Sequence, residues 1–343
     1  MDRKAKIIKI IAVILVVVII PLFGTLAYMF TEEEGSIAAF NWTDLDSFHL
    51  SDITTFEMND NQFKILQLTD PQFNFPLKVC RKSTAMITKL IEDNNPDLII
   101  ITGDICGIPI NGIIYEQFLE FMDSFKTPYA IVFGNHDAEG RATKSKLSNL
   151  MEDAEYSVFS SGPANLSGLG NYVINVNNGD KVAWSLFMLD SNQYTRRFPT
   201  KIYDYIQPEQ IEWYAWNVEN MKVLNGGSLN SLAFFHIPLP EFIDAWKLKD
   251  TDQVVYHFGD KREDQCSPEY NSGFFDKMIE LGSTKGVFAG HDHVNDYSVT
   301  YKGIRLTYGL KSGYGSYKKK GVTGGLVITL SENSFEVEQL FLN

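Results

Sequence analysis

Five turns spread along the chain carry side chains that could hold metal ions. In chain order these residues are Asp70, Gln72, Asp104, Asn135, His136, Asp137, His236, His291 and His293. Their donor atoms are oxygen and nitrogen, which hard or borderline divalent cations accept and which exclude soft thiolate chemistry. A single Asp at a strand end is usually a turn or helix-cap residue, and a lone buried His is usually a hydrogen-bonded core residue. Such independent preferences do not explain the ordered set, which therefore predicts a metal centre.

The apolar runs that lead into these turns have the length and β-branched content of buried strands. They cover residues 63–70, 96–104, 129–137, 182–190, 231–239 and 286–293. Helices predicted over residues 82–94 and 115–125 separate the first three runs, and this alternation predicts parallel βαβ units. Ligands of open α/β sheets gather at the carboxyl ends of the strands. The five turns can therefore converge on one point.

The rest of the chain adds a helix and a closing segment of strands. A helix is predicted over residues 208–221, with Trp213, Tyr214 and Trp216 as core residues. Residues 296–303, 304–309 and 324–330 alternate between apolar and polar, which predicts antiparallel strands. His49 and His257 are expected to be bystanders of the metal centre.

The composition excludes several classes of protein. The chain has 343 residues with 44% hydrophobic and 21% charged residues, which is ordinary globular composition. Its three cysteines, Cys80, Cys106 and Cys266, exclude a disulfide-stapled scaffold and a CxxC metal knuckle. The formal net charge of −13 disfavours non-specific binding to nucleic acid.

The N-terminus has the pattern of a membrane anchor. Residues 10–31 are uncharged and mostly apolar, long enough to cross a bilayer, and they follow Arg3, Lys4, Lys6 and Lys9. The positive-inside rule predicts a cytosolic tail and signal-anchor over residues 1–31, a linker over residues 32–60 and a luminal or extracellular domain over residues 61–343. The alternative is a cleaved signal peptide, which would make the protein secreted or vacuolar or lysosomal. Sequons at Asn41 and Asn165 suit a luminal body.

The ordered turns resemble the motifs of calcineurin-like metallophosphoesterases. The motifs here are Asp-x-Gln, Gly-Asp, Gly-Asn-His-Asp, a single His and Gly-His-x-His, and they cover the chain from about Phe63 to its end. The stretches FFHIPLPEF (234–242), NSGFF (271–275) and GHDHVNDY (290–297) further resemble the small plant and fungal group called purple acid phosphatase-like. The resemblance implies a four-layer α/β/β/α sandwich of two mixed β-sheets flanked by helices, with two divalent metal ions at its rim.

The same resemblance implies a role for each side chain of the centre. Asp70, Gln72 and His293 would hold the first metal, Asp104 would bridge the two, and the second would be held by Asn135, His236 and His291. The ions, Mn, Fe or Zn, would share a hydroxide that attacks phosphorus. His136 would protonate the leaving oxygen or stabilise the transition state. Asp137 would either orient His136 or cap the next segment.

Two positions depart from the family pattern. Many members have His where this chain has Gln72, a weaker donor for zinc-like metals. True purple acid phosphatases place a Tyr at the position of Gly107, so the ferric charge-transfer band is not expected. On the acceptor side, Arg196 and Arg197 are candidates for a phosphate clamp, with a solvated loop as the alternative. Residues 246–275 form a polar insertion that could select substrates.

The function predicted from these features is phosphoester hydrolysis. The first hypothesis is a phosphomonoesterase acting on a phosphoprotein or a small phosphorylated metabolite. Alternatives are a phosphodiesterase acting on nucleotides or lipid head groups, and a catalytically inactive, membrane-tethered binding protein. The expected partners are a phosphorylated substrate and, through the N-terminal helix, a membrane.

Overall fold

The computed structural model of the chain describes residues 40–45, 48–74, 77–196 and 199–342. The predicted signal-anchor over residues 1–31 and residues 32–39, 46 and 47 of the predicted linker lie outside these residues, so the membrane anchor stays a prediction. Within the described part of the chain, none of the helices has the length and apolar character needed to span a bilayer.

The described strands and helices are numbered here in chain order. The strands are β1 (Thr54–Glu57), β2 (Gln62–Leu68), β3 (Leu98–Thr102), β4 (Tyr129–Val132), β5 (Tyr172–Asn178), β6 (Lys181–Met188), β7 (Tyr194–Arg196), β8 (Ile202–Tyr203), β9 (Asn230–Phe234), β10 (Val254–Phe258), β11 (Thr284–Ala289), β12 (Ser298–Tyr301), β13 (Ile304–Tyr308), β14 (Gly324–Ser331) and β15 (Phe335–Phe341). The α-helices are α1 (Leu77–Asn94), α2 (Asn111–Asp123), α3 (Lys144–Asp153), α4 (Pro208–Leu224), α5 (Glu241–Lys247) and α6 (Phe274–Leu281).

Two mixed sheets form the centre of the domain. The large sheet has the order β1-β5-β6-β9-β11-β13-β12-β10, and the small sheet has the order β15-β14-β2-β3-β4. In the small sheet β2, β3 and β4 run parallel, and in the large sheet β6, β9, β11 and β13 run parallel. Strands β7 and β8 form a separate hairpin. The parallel strands are the ones whose carboxyl ends carry the predicted ligands.

Successive side chains of the strands point to opposite faces of each sheet, which allows two sheets and two layers of helices to pack as four layers. In β6, Leu186 and Met188 face the small sheet and join an apolar cluster that includes Ile65 of β2. Ile87 of α1 joins the same cluster from the other side of the small sheet. Phe187 of β6 points to the other face of the large sheet, where it packs with its ring centroid 4.7 Å from that of Tyr214 in α4. Helices therefore cover the outer face of each sheet, and the predicted four-layer α/β/β/α sandwich is confirmed.

Part of the predicted linker belongs to the fold. Residues 54–57 form β1, which pairs in parallel with β5 at the edge of the large sheet. Trp42 and Phe48 pack against Trp216 of α4, with ring centroids 5.7 and 5.1 Å apart. The interpretation of residues 32–60 as a linker is corrected here, because a short polar strand gains its stability from a neighbouring strand rather than from its own pattern. The folded domain begins before residue 61.

Candidate metal centre

The turns that follow the parallel strands meet between the two sheets. Asp70 follows β2, Asp104 follows β3 and Asn135 follows β4, so three neighbouring strands deliver three ligand candidates to one edge. His236 follows β9 and His291 follows β11, which are neighbours in the large sheet. All five side chains are buried. The predicted convergence at the carboxyl ends of the strands is thus present in the structure.

The backbone at this edge is strained. Four of the candidate residues have positive φ angles: Asp70 at 49°, Gln72 at 41°, Asp104 at 56° and His291 at 76°. This region is uncommon for residues other than glycine and costs free energy, particularly for long or bulky side chains. Strain of this kind persists where the surrounding structure holds it in place, and its concentration here marks the edge as a functional site.

Two glycines allow the turns to approach closely. A Cβ atom at Gly134 would lie 2.2 Å from Oδ1 of Asp104, and one at Gly290 would lie 2.0 Å from Oγ1 of Thr69 and 2.8 Å from Oδ2 of Asp70. All three distances are shorter than van der Waals contact allows. These residues are therefore glycine because two ligand-bearing turns touch them, and not only because a turn favours glycine.

The second metal position has a complete set of inward-facing donors. His236 donates from Nδ1 to the carbonyl oxygen of Thr102 at 2.8 Å, which directs its Nε2 toward the other candidate ligands. That Nε2 lies 3.1 Å from Oδ1 of Asn135, 3.2 Å from Nδ1 of His291 and 3.5 Å from Oδ2 of Asp104. These atoms come from the four residues that the sequence predicted for this position, and their chemistry suits a divalent cation.

The first metal position has two well-placed donors besides Asp104. His293 donates from Nδ1 to the carbonyl oxygen of Tyr317 at 3.0 Å, which directs its Nε2 inward to 3.2 Å from Oδ1 of Asp70. Among the described residues, Oδ1 of Asp70 is buried and has no hydrogen-bond partner. Burial of a carboxylate oxygen without a hydrogen-bond partner costs desolvation free energy, and a bound cation would offset this cost. Asp70, Asp104 and His293 therefore fit a metal ion.

Gln72 does not face the centre as the sequence predicted. Its amide nitrogen, and not its oxygen, lies 3.3 Å from Oδ2 of Asp104 and 3.3 Å from Nε2 of His293. Its Oε1 accepts a hydrogen bond from the ammonium group of Lys311 at 3.1 Å. The prediction of Gln72 as an oxygen ligand is corrected here, because its oxygen is hydrogen-bonded to the buried lysine. Lys311 could not be predicted from the sequence, since an isolated lysine near a glycine-rich turn is typical of the surface.

The protonation states of the centre reflect crowded opposite charges. Burial raises the pKa of Asp70 and Asp104, but His236, together with His293 at Asp70 and with His136 at Asp104, outweighs it. Both carboxyl groups therefore have a pKa below the ordinary value. Burial lowers the pKa of His236, yet the two carboxylates raise it to about 10. Burial lowers the pKa of Lys311 to about 8, with Asp70 and Asp104 opposing the shift. The ionised carboxylates thus attract positive charge, as a cation site must.

His136 lies beside the centre with its ring partly open to solvent. Its backbone N–H donates to Oδ1 of Asp104 at 2.9 Å, and its Nδ1 lies 2.6 Å from Oε2 of Glu139. Burial lowers the pKa of His136, but Glu139 and Asp104 together raise it above the ordinary value. The side chain is 34% exposed, so a substrate can reach it. Glu139 was not predicted, although its spacing of three residues from His136 was available in the sequence.

Asp137 holds the turns together. Its carboxylate accepts hydrogen bonds from the backbone N–H groups of Asp104, Ile105 and Gly134, at 3.0, 2.8 and 2.7 Å. These partners include neither His136 nor the segment after Asp137, so the contacts differ from both roles left open by the sequence: the carboxylate joins two preceding turns. Burial and the charge of Asp104 raise the pKa of Asp137 to about 6.

The contact between Glu139 and His136 leads to a test. We expect Glu139→Gln to lower the hydrolysis rate by about tenfold, less than the 10²–10⁴-fold worth of a general acid, because His136 stays in place without its anionic partner. The loss should shrink for aryl esters whose leaving groups need no proton, and bound metal should be unchanged. An equal loss for all leaving groups would assign Glu139 a purely structural role.

The hairpin of β7 and β8 covers the second metal position. Asn135 donates from Nδ2 to the hydroxyl oxygen of Tyr194 at 2.8 Å, and the ring of Tyr203 lies 4.6 Å from that of His291. The ammonium group of Lys201 donates to the same Tyr194 hydroxyl at 3.1 Å. Arg196 is exposed on β7, whereas Arg197 lies outside the described residues. Lys201, which was not predicted from the sequence, is thus linked through the Tyr194 hydroxyl to the candidate ligand Asn135.

The donor atoms of Cys266, His291 and Asp292 lie close enough to one another to hold a metal ion. Burial and the negative charge of Asp292 raise the pKa of the Cys266 thiol to about 11. The thiol is therefore protonated in the metal-free protein at neutral pH.

Comparison with known proteins decides the family. The model of the calcineurin-like phosphoesterase family matches residues 63–295, more than half of the chain. The chain belongs to the calcineurin-like phosphoesterases. Among its relatives, the probable inactive purple acid phosphatase 29 of Arabidopsis thaliana is 30% identical over 300 residues, which cover 78% of this chain and 75% of the relative.

Other members of the family extend the comparison. Phosphatase DCR2 of Saccharomyces cerevisiae is 30% identical over 285 residues, which cover 74% of this chain but 48% of that protein. A dimetal phosphatase from Danio rerio shares the fold with a TM-score of 0.51 and 12% identity, covering 80% of this chain and 98% of that one. The plant and fungal relatives confirm the resemblance to the purple acid phosphatase-like group.

Proposed function

We propose that this protein is a metal-dependent phosphoric ester hydrolase, and specifically a phosphomonoesterase. The observation that carries the proposal is the convergence of Asp104, Asn135, His236 and His291 on one point, with His136 beside it. Bound divalent ions would supply charge for the phosphoryl oxygens and acidify a water molecule. We expect the purified chain, loaded with Mn²⁺, Fe²⁺ or Zn²⁺, to hydrolyse an aryl phosphate monoester faster than the matching diester. No hydrolysis of either ester by the metal-loaded chain would refute the proposal.

The side chains around the centre have distinct tasks in this reaction. Asp104 lies between the two metal positions, so its carboxylate can serve both. Asn135 is fixed by Tyr194 with its oxygen toward the second position, and His236 is fixed by the carbonyl of Thr102. The imidazole of His136, paired with Glu139, is placed to give a proton to the leaving oxygen. Asn135 and His236 therefore each have a partner that sets their orientation.

The position of Lys201 favours a monoester over a diester. A monoester carries up to two negative charges at neutral pH, and the ammonium of Lys201 adds a positive charge beside the second metal position. A diester carries one negative charge and bulk on both sides of phosphorus. The hairpin that covers the centre thus suits the smaller, more highly charged phosphate.

Substitution of Lys201 tests this assignment. We expect Lys201→Met to raise the KM for an aryl phosphate monoester by about 5–10-fold with little change in kcat, because an exposed charge contact is worth about 1 kcal/mol. Arg196→Met should have a smaller effect, and the exposed Lys89→Met provides a matched control. A larger rise in KM for Arg196→Met than for Lys201→Met would move the phosphate clamp to the arginine.

A catalytically inactive, metal-binding protein is the second candidate. The orientation of Gln72 and the names of the Arabidopsis relatives, which include the words probable inactive, favour it. The two candidates differ in one measurement. A chain that binds metal but hydrolyses neither monoesters nor diesters at any metal concentration would be a binding protein.

A further inference from the structure

Lys311 is a buried lysine inside the metal centre. It lies after β13, and 1% of its surface is exposed. Its ammonium group donates to the carbonyl oxygen of Asp70 at 2.9 Å and to Oε1 of Gln72 at 3.1 Å. Lysine is almost never fully buried unless it is paired, because removing its charge from water is costly. Lys311 therefore has a specific role among the ligands.

Lys311 fixes the direction of the Gln72 amide. The oxygen accepts from the ammonium, and the two N–H bonds of the amide face two acceptors, Oδ2 of Asp104 and Nε2 of His293. Nε2 of His293 is free to accept a hydrogen bond from the amide, because the ring proton is on Nδ1, which donates to the backbone carbonyl oxygen of Tyr317. A flipped amide would place its NH₂ group against the ammonium and its oxygen against the carboxylate. Only one orientation satisfies every partner.

This orientation weakens one of the two metal positions. An amide nitrogen offers no lone pair to a hard cation, and its N–H bonds occupy the acceptors that the first metal would use. The ammonium of Lys311 adds repulsion against that ion. At the second position, the amide nitrogen of Asn135 is turned away toward Tyr194, and the ammonium of Lys201 contacts that tyrosine rather than a ligand.

We infer that Lys311, acting through Gln72, makes the two metal positions unequal, so that the second fills first and the first fills only at higher metal concentration. This inference rests on the metal centre of the proposed function. In the singly occupied state the ammonium stands in for part of the missing positive charge beside Asp70 and Asp104. Lys311 is thus a positioning residue that sets the metal dependence of the centre.

The test is a manganese titration of the full chain after removal of bound metal with a chelator. We expect the wild-type protein to take up one ion tightly and a second at least about 10–100-fold more weakly, the range over which outer partners change metal affinity. Electron paramagnetic resonance distinguishes an isolated Mn²⁺ ion from a coupled pair. Lys311→Met frees the amide to turn, so the second ion should bind about 10–100-fold more tightly and the coupled spectrum should appear at lower manganese.

If Lys311→Met does not fold, a second variant, Gln72→Glu, tests the same inference. Gln72→Glu keeps the lysine and supplies two carboxylate oxygens, one for the ammonium and one for the ion, so it should also tighten the weaker position. Lys89→Met should leave both affinities unchanged. The inference would be overturned if the wild-type protein bound two ions with similar affinity. It would also be overturned if the difference in manganese affinity between the two positions were unchanged in the variants that fold. Either result would leave the proposed hydrolase function standing. Failure of every form to bind manganese would overturn both.

Discussion

Asp104→Asn is expected to abolish hydrolysis, with a rate loss of about 10³-fold or more, because one carboxylate serves both metal positions. Its Oδ1 accepts the backbone N–H of His136, and its Oδ2 lies near His236 and Gln72. Asparagine keeps the first contact but places an amide NH₂ group where the second oxygen stood. It also tolerates the φ of 56° better than alanine would, so the backbone should not change.

Two measurements read out this substitution. Metal content after equilibrium dialysis should fall at both positions, and aryl monoester hydrolysis should fall to background. The thermal unfolding midpoint of the metal-free protein at neutral pH should fall, since the pKa of Asp104 is lowered in the fold and the variant leaves the buried His236 without this anionic partner. Asp180→Asn, at an exposed turn between β5 and β6, is the matched control. Retention of metal and of activity by Asp104→Asn would show that Asp104 does not bridge the two positions.

His136→Ala should lower the hydrolysis rate by about 10²–10⁴-fold while the bound metal stays nearly unchanged. The imidazole follows a ligand directly in the chain, yet its own contact is with Glu139. The loss should be smallest for esters with acidic leaving groups, which depart without a proton. This dependence on the leaving group separates proton transfer from a general disturbance of the centre.

The control for His136→Ala is His257→Ala, a histidine on the exposed edge strand β10, bonded to Thr300. It should change neither rate nor metal content. Loss of metal in His136→Ala would identify His136 as a ligand, and an equal rate loss for all leaving groups would remove its role as an acid.

Much of the fold could be predicted from short-range patterns. The apolar runs that end at Asp70, Asp104 and Asn135 are β2, β3 and β4, and the predicted helix over residues 208–221 is contained in α4. Such runs are predictable because burial of both faces demands continuous apolar sequence. Strand β1 was missed because its four residues are mostly exposed and depend on pairing with β5.

The centre was predictable to the level of which residues meet, but not of which atoms face inward. Polar residues at the ends of the predicted buried strands indicated where His236 and His291 would lie. Glu139, Lys201 and Lys311 had no distinctive pattern, since each is an ordinary charged residue in a loop or turn. Their importance depends on contacts between segments far apart in the chain, such as the 239-residue separation of Lys311 from Gln72.

The fold class, the family resemblance and the set of candidate ligands could be predicted from the sequence, because these follow from residue type, order and spacing. The direction of the Gln72 amide, the partner of His136 and the position of Lys201 depend on tertiary contacts and could be seen only in the structure. Amide direction is a property of hydrogen-bond partners, and those partners become neighbours only when the two sheets pack. In this centre one buried ammonium group determines whether a glutamine presents its oxygen or its nitrogen to the metal.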